Sequence, residues 1–188
     1  KISETAKFYG LGTQYLEDVF ASSEGLIPTK KWKKTKYDTP WTMSDTIVAS
    51  IGQGFALATP LQLVVMMSRI ATNGKKIIPV IMKSKNETKN NSYFENIENY
   101  NQAAIDLIKV GMFKAVNDPQ GTAFLSKISG KNIMCGKTAT SQVRRISMQE
   151  REQGILKNEE LPLEQRDHAL FAGYFPYHNP KFSFSVVV

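Results

Sequence analysis

At 188 residues, with 41% hydrophobic and 22% charged side chains, the chain can form one domain with a substantial core and is unlike a disordered or fibrous protein. No apolar run approaches the roughly 20 residues of a membrane span, and Lys1-Ile2-Ser3-Glu4 is no signal peptide: it begins in mid-pattern. The only cysteine, Cys135, excludes an intramolecular disulfide, and with His168 and His178 it makes no metal-ligand spacing.

Ile2 to Tyr9 carries apolar residues at helical spacing, and Gly10 or Gly12 is a plausible stop. From Thr13 to about Asp45 the chain reads as irregular, broken by Gly25, Pro28 and Pro40 and pinned down by Trp32, Tyr37 and Trp41. Much of the net charge of +7 comes from Lys30, Lys31, Lys33, Lys34 and Lys36, interleaved with Trp32 and Tyr37. A nucleic-acid surface would use such lysines on phosphates and such aromatics for stacking. A solvated loop anchored by its aromatics is the plainer reading, so no nucleic-acid partner is expected.

Thr59 as N-cap, Pro60 at the first helical position and Gly74 after Asn73 frame a helix. Its apolar residues, Leu61, Val64, Val65, Met66, Met67 and Ile70, cover most of the circumference, which predicts deep burial. Lys75 to Met82 looks like a strand, at a sheet edge because of Pro79. Residues 83–100 are polar and asparagine-rich, as in an exposed connection. A second helix runs from about Gln102 to Val116, with Ile105, Leu107, Ile108, Met112 and Phe113 toward the core, and ends in a turn over Asp118 to Ala123. Ala169 to Phe175 is a strand by composition, and His178-Asn179-Pro180 turns it into the strand-like Phe182 to Val188 as a hairpin. Both ends of the chain read as cut.

The most informative stretch is Asn132 to Val143, which reads as a buried strand turning its backbone toward a site. Gly136-Lys137-Thr138 first suggests a phosphate loop. That loop needs Gly, four residues, then Gly-Lys-Ser/Thr. Lys131 stands where the first glycine belongs, Gly130 is one position too far, and Gln142-Val143-Arg144 continues as strand rather than helix. The alternative is the Lys-Thr-Gly-Thr signature of penicillin-binding proteins and serine β-lactamases, here Lys137-Thr138-Ala139-Thr140. A lysine and two hydroxyls on one edge strand can grip a peptide's C-terminal carboxylate, and the amide after the small residue can donate to an oxyanion.

The order of motifs extends this match: Ile51-Gly52-Gln53-Gly54, Ala58-Thr59-Pro60-Leu61-Gln62, Gly121-Thr122-Ala123, the signature through Gln142, then Ala169 to Tyr174. Together they resemble a class B penicillin-binding protein. Gly25-Leu26-Ile27-Pro28-Thr29 and Trp32-Lys33 look like the elongation-specific type, the penicillin-binding protein 2 group. The resemblance covers nearly the whole chain. It implies an α+β fold in which helices pack on an antiparallel sheet, with the signature strand and final hairpin in that sheet. It also implies a peptidoglycan D,D-transpeptidase that is acylated by β-lactams, needs no cofactor, and transfers a stem peptide from D-alanyl-D-alanine through an acyl-serine to a neighbouring amine.

By that resemblance Lys137 and Thr138 position the donor, and Lys137 supplies positive charge. The Thr140 hydroxyl holds the donor carboxylate, and its N–H forms half of the oxyanion hole. Gly136, Ala139 and Gln142 shape the strand edge. Glycosyltransferase and scaffold partners, a membrane anchor and placement on the periplasmic side of the inner membrane are also implied.

Two departures stand out. Ala139 replaces the family glycine, and its methyl either narrows the groove, reducing β-lactam acylation, or is absorbed by a small strand shift. No serine stands three residues before a lysine, so the Ser-x-x-Lys nucleophile is absent. Ser84-Lys85-Asn86 matches the Ser-x-Asn signature but follows the Gly-Gln-Gly stretch instead of preceding it, and reads as a chance match. Residues 1–188 are therefore expected to be the C-terminal part of a transpeptidase domain, inactive alone. The alternative is a degenerate, non-catalytic binding module of the same fold. An exposed sheet edge in such a piece favours self-association. The charged stretch from Arg144 to about Asp167 reads as an excursion over the site mouth or as a solvated connection.

Overall fold

The computed structural model describes residues 1–17, 22–81, 94–95, 101–130, 133–144 and 148–188. Its centre is an antiparallel sheet of β3 (Cys135–Ser141), β4 (His168–Phe175) and β5 (Phe182–Val187), in the order β3-β4-β5. On it lie two long helices, α4 (Pro60–Ala71) and α5 (Gln102–Asn117). The arrangement is the expected α+β fold. Shorter helices α1 (Ile2–Phe8), α2 (Lys30–Tyr37) and α3 (Met43–Ser50) precede them, and α6 (Met148–Gln153) lies between β3 and β4. A separate ribbon pairs β1 (Lys76–Ile77) with β2 (Phe94–Glu95). No helix of the described residues is long and apolar enough to cross a membrane.

The sheet is sided by strand alternation. On one face Cys135, Ala172 and Tyr174 meet Met67, Ile70 and Ala71 of α4 and Met112 of α5, forming the main core. On the other face Met134 joins Val116 and Ala123, with Phe171, Phe175 and Phe184 packed around them. Close strand approach depends on residues without side chains. A Cβ on Gly173 would lie 2.2 Å from the Cys135 carbonyl oxygen, and one on Gly136 2.7 Å from that of Ala172. Ser68 of α4 is tied to Ser183 of β5 by a 2.6 Å hydroxyl contact. Lys109 of α5 donates to the carbonyl of Ala71 at the end of α4 at 3.0 Å.

Helix α4 forms as the sequence signals predict, with Thr59 and Gln62 in a reciprocal capping box and Pro60 in the first turn. Its burial differs from the expectation, because two polar residues, Gln62 and Arg69, are among its most buried positions. Both organise the N-terminal region. The Gln62 amide donates to the carbonyls of Thr13 and Glu24, each at 2.8 Å, while its oxygen accepts from the Thr59 N–H. Arg69 donates to the Phe8 carbonyl at 2.6 Å and to the Tyr15 hydroxyl at 3.3 Å. Most buried polar groups are bonded in this way.

The region from Thr13 to Asp45 is more regular than its composition suggests. Thr29 caps α2 through the Trp32 N–H, and Thr42 caps α3 in a capping box with Asp45. Lysine is a good helix former and the breakers Pro28 and Pro40 fall between helices, so the basic run is helix rather than loop. Its aromatics do anchor it: Trp32 and Tyr37 pack against each other and against Phe55. Lys33 bonds Asp45 at 2.5 Å, linking α2 to the start of α3.

Three other expectations change. The strand anticipated over Lys75–Met82 is described only at Lys76–Ile77, and it pairs outside the main sheet. Leu107 and Ile108 of α5 are exposed, while Ile105 and Met112 face the core. β3 stops at Ser141, so Gln142-Val143-Arg144 does not prolong it. Met82, Ser84-Lys85-Asn86 and most of the asparagine-rich connection lie outside the described residues. The hairpin, the turn after α5 and the burial of Cys135 are as expected.

Replacing Gln62 by Leu leaves the Thr13 and Glu24 carbonyls without their donor, and the denaturation midpoint should fall by an amount equivalent to about 2 kcal/mol. Asp45 is held down to about 2 by its bond from Lys33 and those from the Thr42 amide and hydroxyl. A carboxylate lowered on folding stabilises fully above its unfolded value near ~4 and loses that contribution as pH falls through the folded value. The melting-temperature gap between wild type and Asp45→Asn should therefore be widest above pH ~4 and close toward pH ~2.

Candidate active site on the open edge of the sheet

β3 pairs with β4 on one side and, among the described residues, with nothing on the other. Which of its backbone groups face the open side follows from register. Ala169 and Val188 exchange both N–H···O bonds at 2.9 Å, so Ala169 turns its backbone toward β5. Backbone direction alternates along an antiparallel strand. His168, Leu170, Ala172 and Tyr174 therefore turn toward β3, where they oppose Ser141, Ala139, Lys137 and Cys135. Gly136, Thr138 and Thr140 are left with N–H and C=O aimed at the open edge.

Side chains alternate on the same period. Thr138 and Thr140 share one face, and Lys137 and Ala139 the other. Lys137 nevertheless reaches the edge, because its flexible stem folds back. Its Nζ donates to the Thr138 carbonyl at 2.7 Å and to Thr138 Oγ1 at 3.3 Å. A cation, two hydroxyls and outward amides thus converge along three consecutive outward residues. Such a set can hold a carboxylate and donate to an oxygen that gains charge.

The remaining expected site residues separate. Gly136 is buried, and a Cβ there would meet the Phe171 ring at 2.8 Å, so its bareness serves strand packing. Ala139 is exposed on the Lys137 face and opposite Leu170, with the seven-residue register unbroken through it. Its methyl lies on the opposite face from the two threonine hydroxyls. Gln142 lies beyond the end of β3, beside a small cavity shared with Arg144, Leu156, Asn158 and Asp167. It is apart from Lys137 and Thr138. The charged excursion folds back at that same end, where Asp167 accepts from the Val143 N–H at 3.1 Å and Arg144 pairs with Glu150.

Sequence reasoning gave Thr122 no role, although Gly121-Thr122-Ala123 was visible as a motif. The structure sets its hydroxyl 3.1 Å from that of Thr138. Beside this pair a cleft of about 460 Å³ opens between α5 and β3, lined in part by Ile108, Met112, Ala115, Thr122 and Lys137. Cys135 is no alternative nucleophile. It is fully buried, and burial pushes its thiol up to about 11, so it stays protonated at neutral pH. No cluster of metal-ligating side chains occurs among the described residues.

Comparison with known proteins agrees with this arrangement. The penicillin binding protein transpeptidase domain matches residues 1–188. The chain is 32% identical over 193 residues to the peptidoglycan D,D-transpeptidase MrdA of Haemophilus influenzae, covering all of this chain and 29% of that protein. It is 28% identical to MrdA of Escherichia coli K12, with 100% and 30% covered. The chain thus spans about three tenths of the length of these relatives. Among solved structures, penicillin-binding protein 2 of Helicobacter pylori in complex with MreC superimposes with a TM-score of 0.79 at 27% identity, over 99% of this chain and 31% of that one. Penicillin-binding protein 2 of Pseudomonas aeruginosa in complex with WCK 5153 gives 0.78 at 27% identity, over 99% and 38%. With the open signature strand, the motif order and the matched domain in agreement over its whole length, the chain belongs to the penicillin binding protein transpeptidase family.

Proposed function

We propose that these 188 residues are part of the transpeptidase domain of a longer peptidoglycan D,D-transpeptidase of the cell-elongation type, and form one wall of its site. The nucleophilic serine comes from sequence outside them. The observation that carries this reading is the edge of β3, where Gly136, Thr138 and Thr140 turn their backbones outward and the Lys137 ammonium reaches Thr138. The absence of any Ser-x-x-Lys from the chain and its 29% share of the Haemophilus relative support the placement of the nucleophile elsewhere.

In this mechanism the donor peptide ends in D-alanyl-D-alanine and lies along β3. Lys137, Thr138 and Thr140 hold its terminal carboxylate. The serine oxygen attacks the carbonyl carbon of the penultimate D-alanine, and the Thr140 N–H donates to the oxygen that becomes negative. The C–N bond breaks, and terminal D-alanine leaves as an amine with the proton given up by the serine. The acyl group then passes from the serine to an amine of a neighbouring strand, whose proton returns to the serine oxygen. A β-lactam enters the same site, and its ring opens onto the serine. Gly136 lets the strand pack closely enough to present this edge, and Ala139 and Gln142 shape the strand around it.

The names of the relatives support the peptidoglycan assignment, and the Helicobacter complex with MreC supports a protein partner of that kind. A partner glycosyltransferase and an anchored position on the periplasmic side of the inner membrane complete the proposal, the anchor lying outside this chain.

Intact-mass spectrometry of this chain and of its natural parent, each incubated with a penicillin, tests the reading. The parent should gain one penicillin mass and the chain none. If neither is acylated, the non-catalytic binding module is the better description, and if the chain alone is acylated, the nucleophile has been misplaced. In the parent, Ala139→Gly should leave the acylation rate within about threefold, because a methyl accommodated without loss of register changes the barrier by less than ~1 kcal/mol. A rise beyond tenfold would mean that the methyl narrows the groove.

A further inference from the structure

We propose that Thr122 is a positioning residue of the carboxylate-binding edge, acting through Thr138. The inference rests on the transpeptidase reading above and adds to it a residue outside the signature strand.

The argument begins with how Thr122 is held. The turn after α5 is locked onto the helix end: the Gly121 N–H donates to the Asp118 carbonyl at 2.8 Å, and the Ala123 N–H donates to that of Ala115 at 2.9 Å. Gly121 lies so close to the helix that a Cβ would stand 2.4 Å from the Ala115 carbonyl oxygen. Ala123 is buried in the cluster with Val116 and Met134. Thr122 thus lies between two neighbours bonded to the helix end, and its hydroxyl is presented to Thr138 at 3.1 Å.

The second step is a proton count. A threonine hydroxyl carries one proton and two lone pairs. Thr138 Oγ1 accepts from Lys137 Nζ at 3.3 Å and donates its one proton to Thr122. A bound carboxylate only accepts, so Thr138 must turn its proton to the ligand. Thr122 has a proton of its own and can then donate to the lone pair that Thr138 frees. The pair reverses direction without moving a heavy atom, giving a chain from Thr122 through Thr138 to the carboxylate. Hydrogen bonds in such a chain polarise and strengthen one another. Without the Thr122 hydroxyl, Thr138 keeps only the 3.3 Å bond from Lys137 Nζ, which occupies one lone pair and leaves the direction of its own proton unset.

The test uses the natural full-length parent protein and compares wild type, Thr122→Val and Thr122→Ser. Valine keeps the branched shape and removes the hydroxyl, whereas serine keeps the hydroxyl. Acylation rate constants are measured with benzylpenicillin and with its methyl ester, which masks the carboxylate, and melting temperatures check folding. T122V should react with benzylpenicillin about tenfold more slowly, the size expected for one lost hydrogen bond to a charge-binding group. Its rate with the ester should stay within about twofold of wild type, and T122S should recover most of the loss. Equal slowing toward both ligands, or a T122V rate equal to wild type, overturns the inference and leaves the transpeptidase reading intact. A wild-type parent that no penicillin acylates overturns the reading and the inference together.

Discussion

Everything in this molecule depends on how closely β3 and β4 approach beneath the two long helices. Gly136, Gly173, Ala172 and Cys135 let the strands and helices come together where larger side chains would hold them apart. Interiors packed to this density transmit small changes in volume directly to backbone position. Holding β4 against one side of β3 fixes the direction of every N–H and C=O on the other side. The core and the candidate site are therefore two sides of one strand.

The helices contribute unequally. α4 ties the N-terminal region to the sheet through Gln62 and Arg69, buried polar residues that bond carbonyls of distant loops. α5 sets the turn that carries Thr122, and its exposed Ile108 lends an apolar surface to the cleft. The basic helix α2 is held by Lys33 and its aromatics, so one of its lysines serves the fold while Lys30, Lys31, Lys34 and Lys36 stay at the surface.

Much of this was legible in the sequence. Thr59-Pro60-Leu61-Gln62 announced α4 by its cap, and the apolar stretch from Ala169 announced β4. The signature at Lys137 announced the site, because strand, lysine and hydroxyls are local features. What was not legible depends on distant partners. Nothing local says that Gln62 and Arg69 are buried, since their ligands are the carbonyls of Thr13, Glu24 and Phe8. The helices around the lysine run were hidden because prolines and glycines between short helices look like one long loop. Leu107 and Ile108 stay outside because α5 carries more apolar residues than the core accepts. Thr122 gained meaning only when folding brought it to a residue 16 positions away.

Gly136, Thr138 and Thr140 face the edge with main-chain groups, and this has an evolutionary consequence. Side chains there can be exchanged by single codon changes, but an amide hydrogen survives every substitution except the one to proline. A selective pressure that weakens binding to this edge must therefore act indirectly, by tilting the strand, loosening what lies behind it or altering the hydroxyls and the ammonium beside it. The main-chain part of this candidate edge is inherited with the fold.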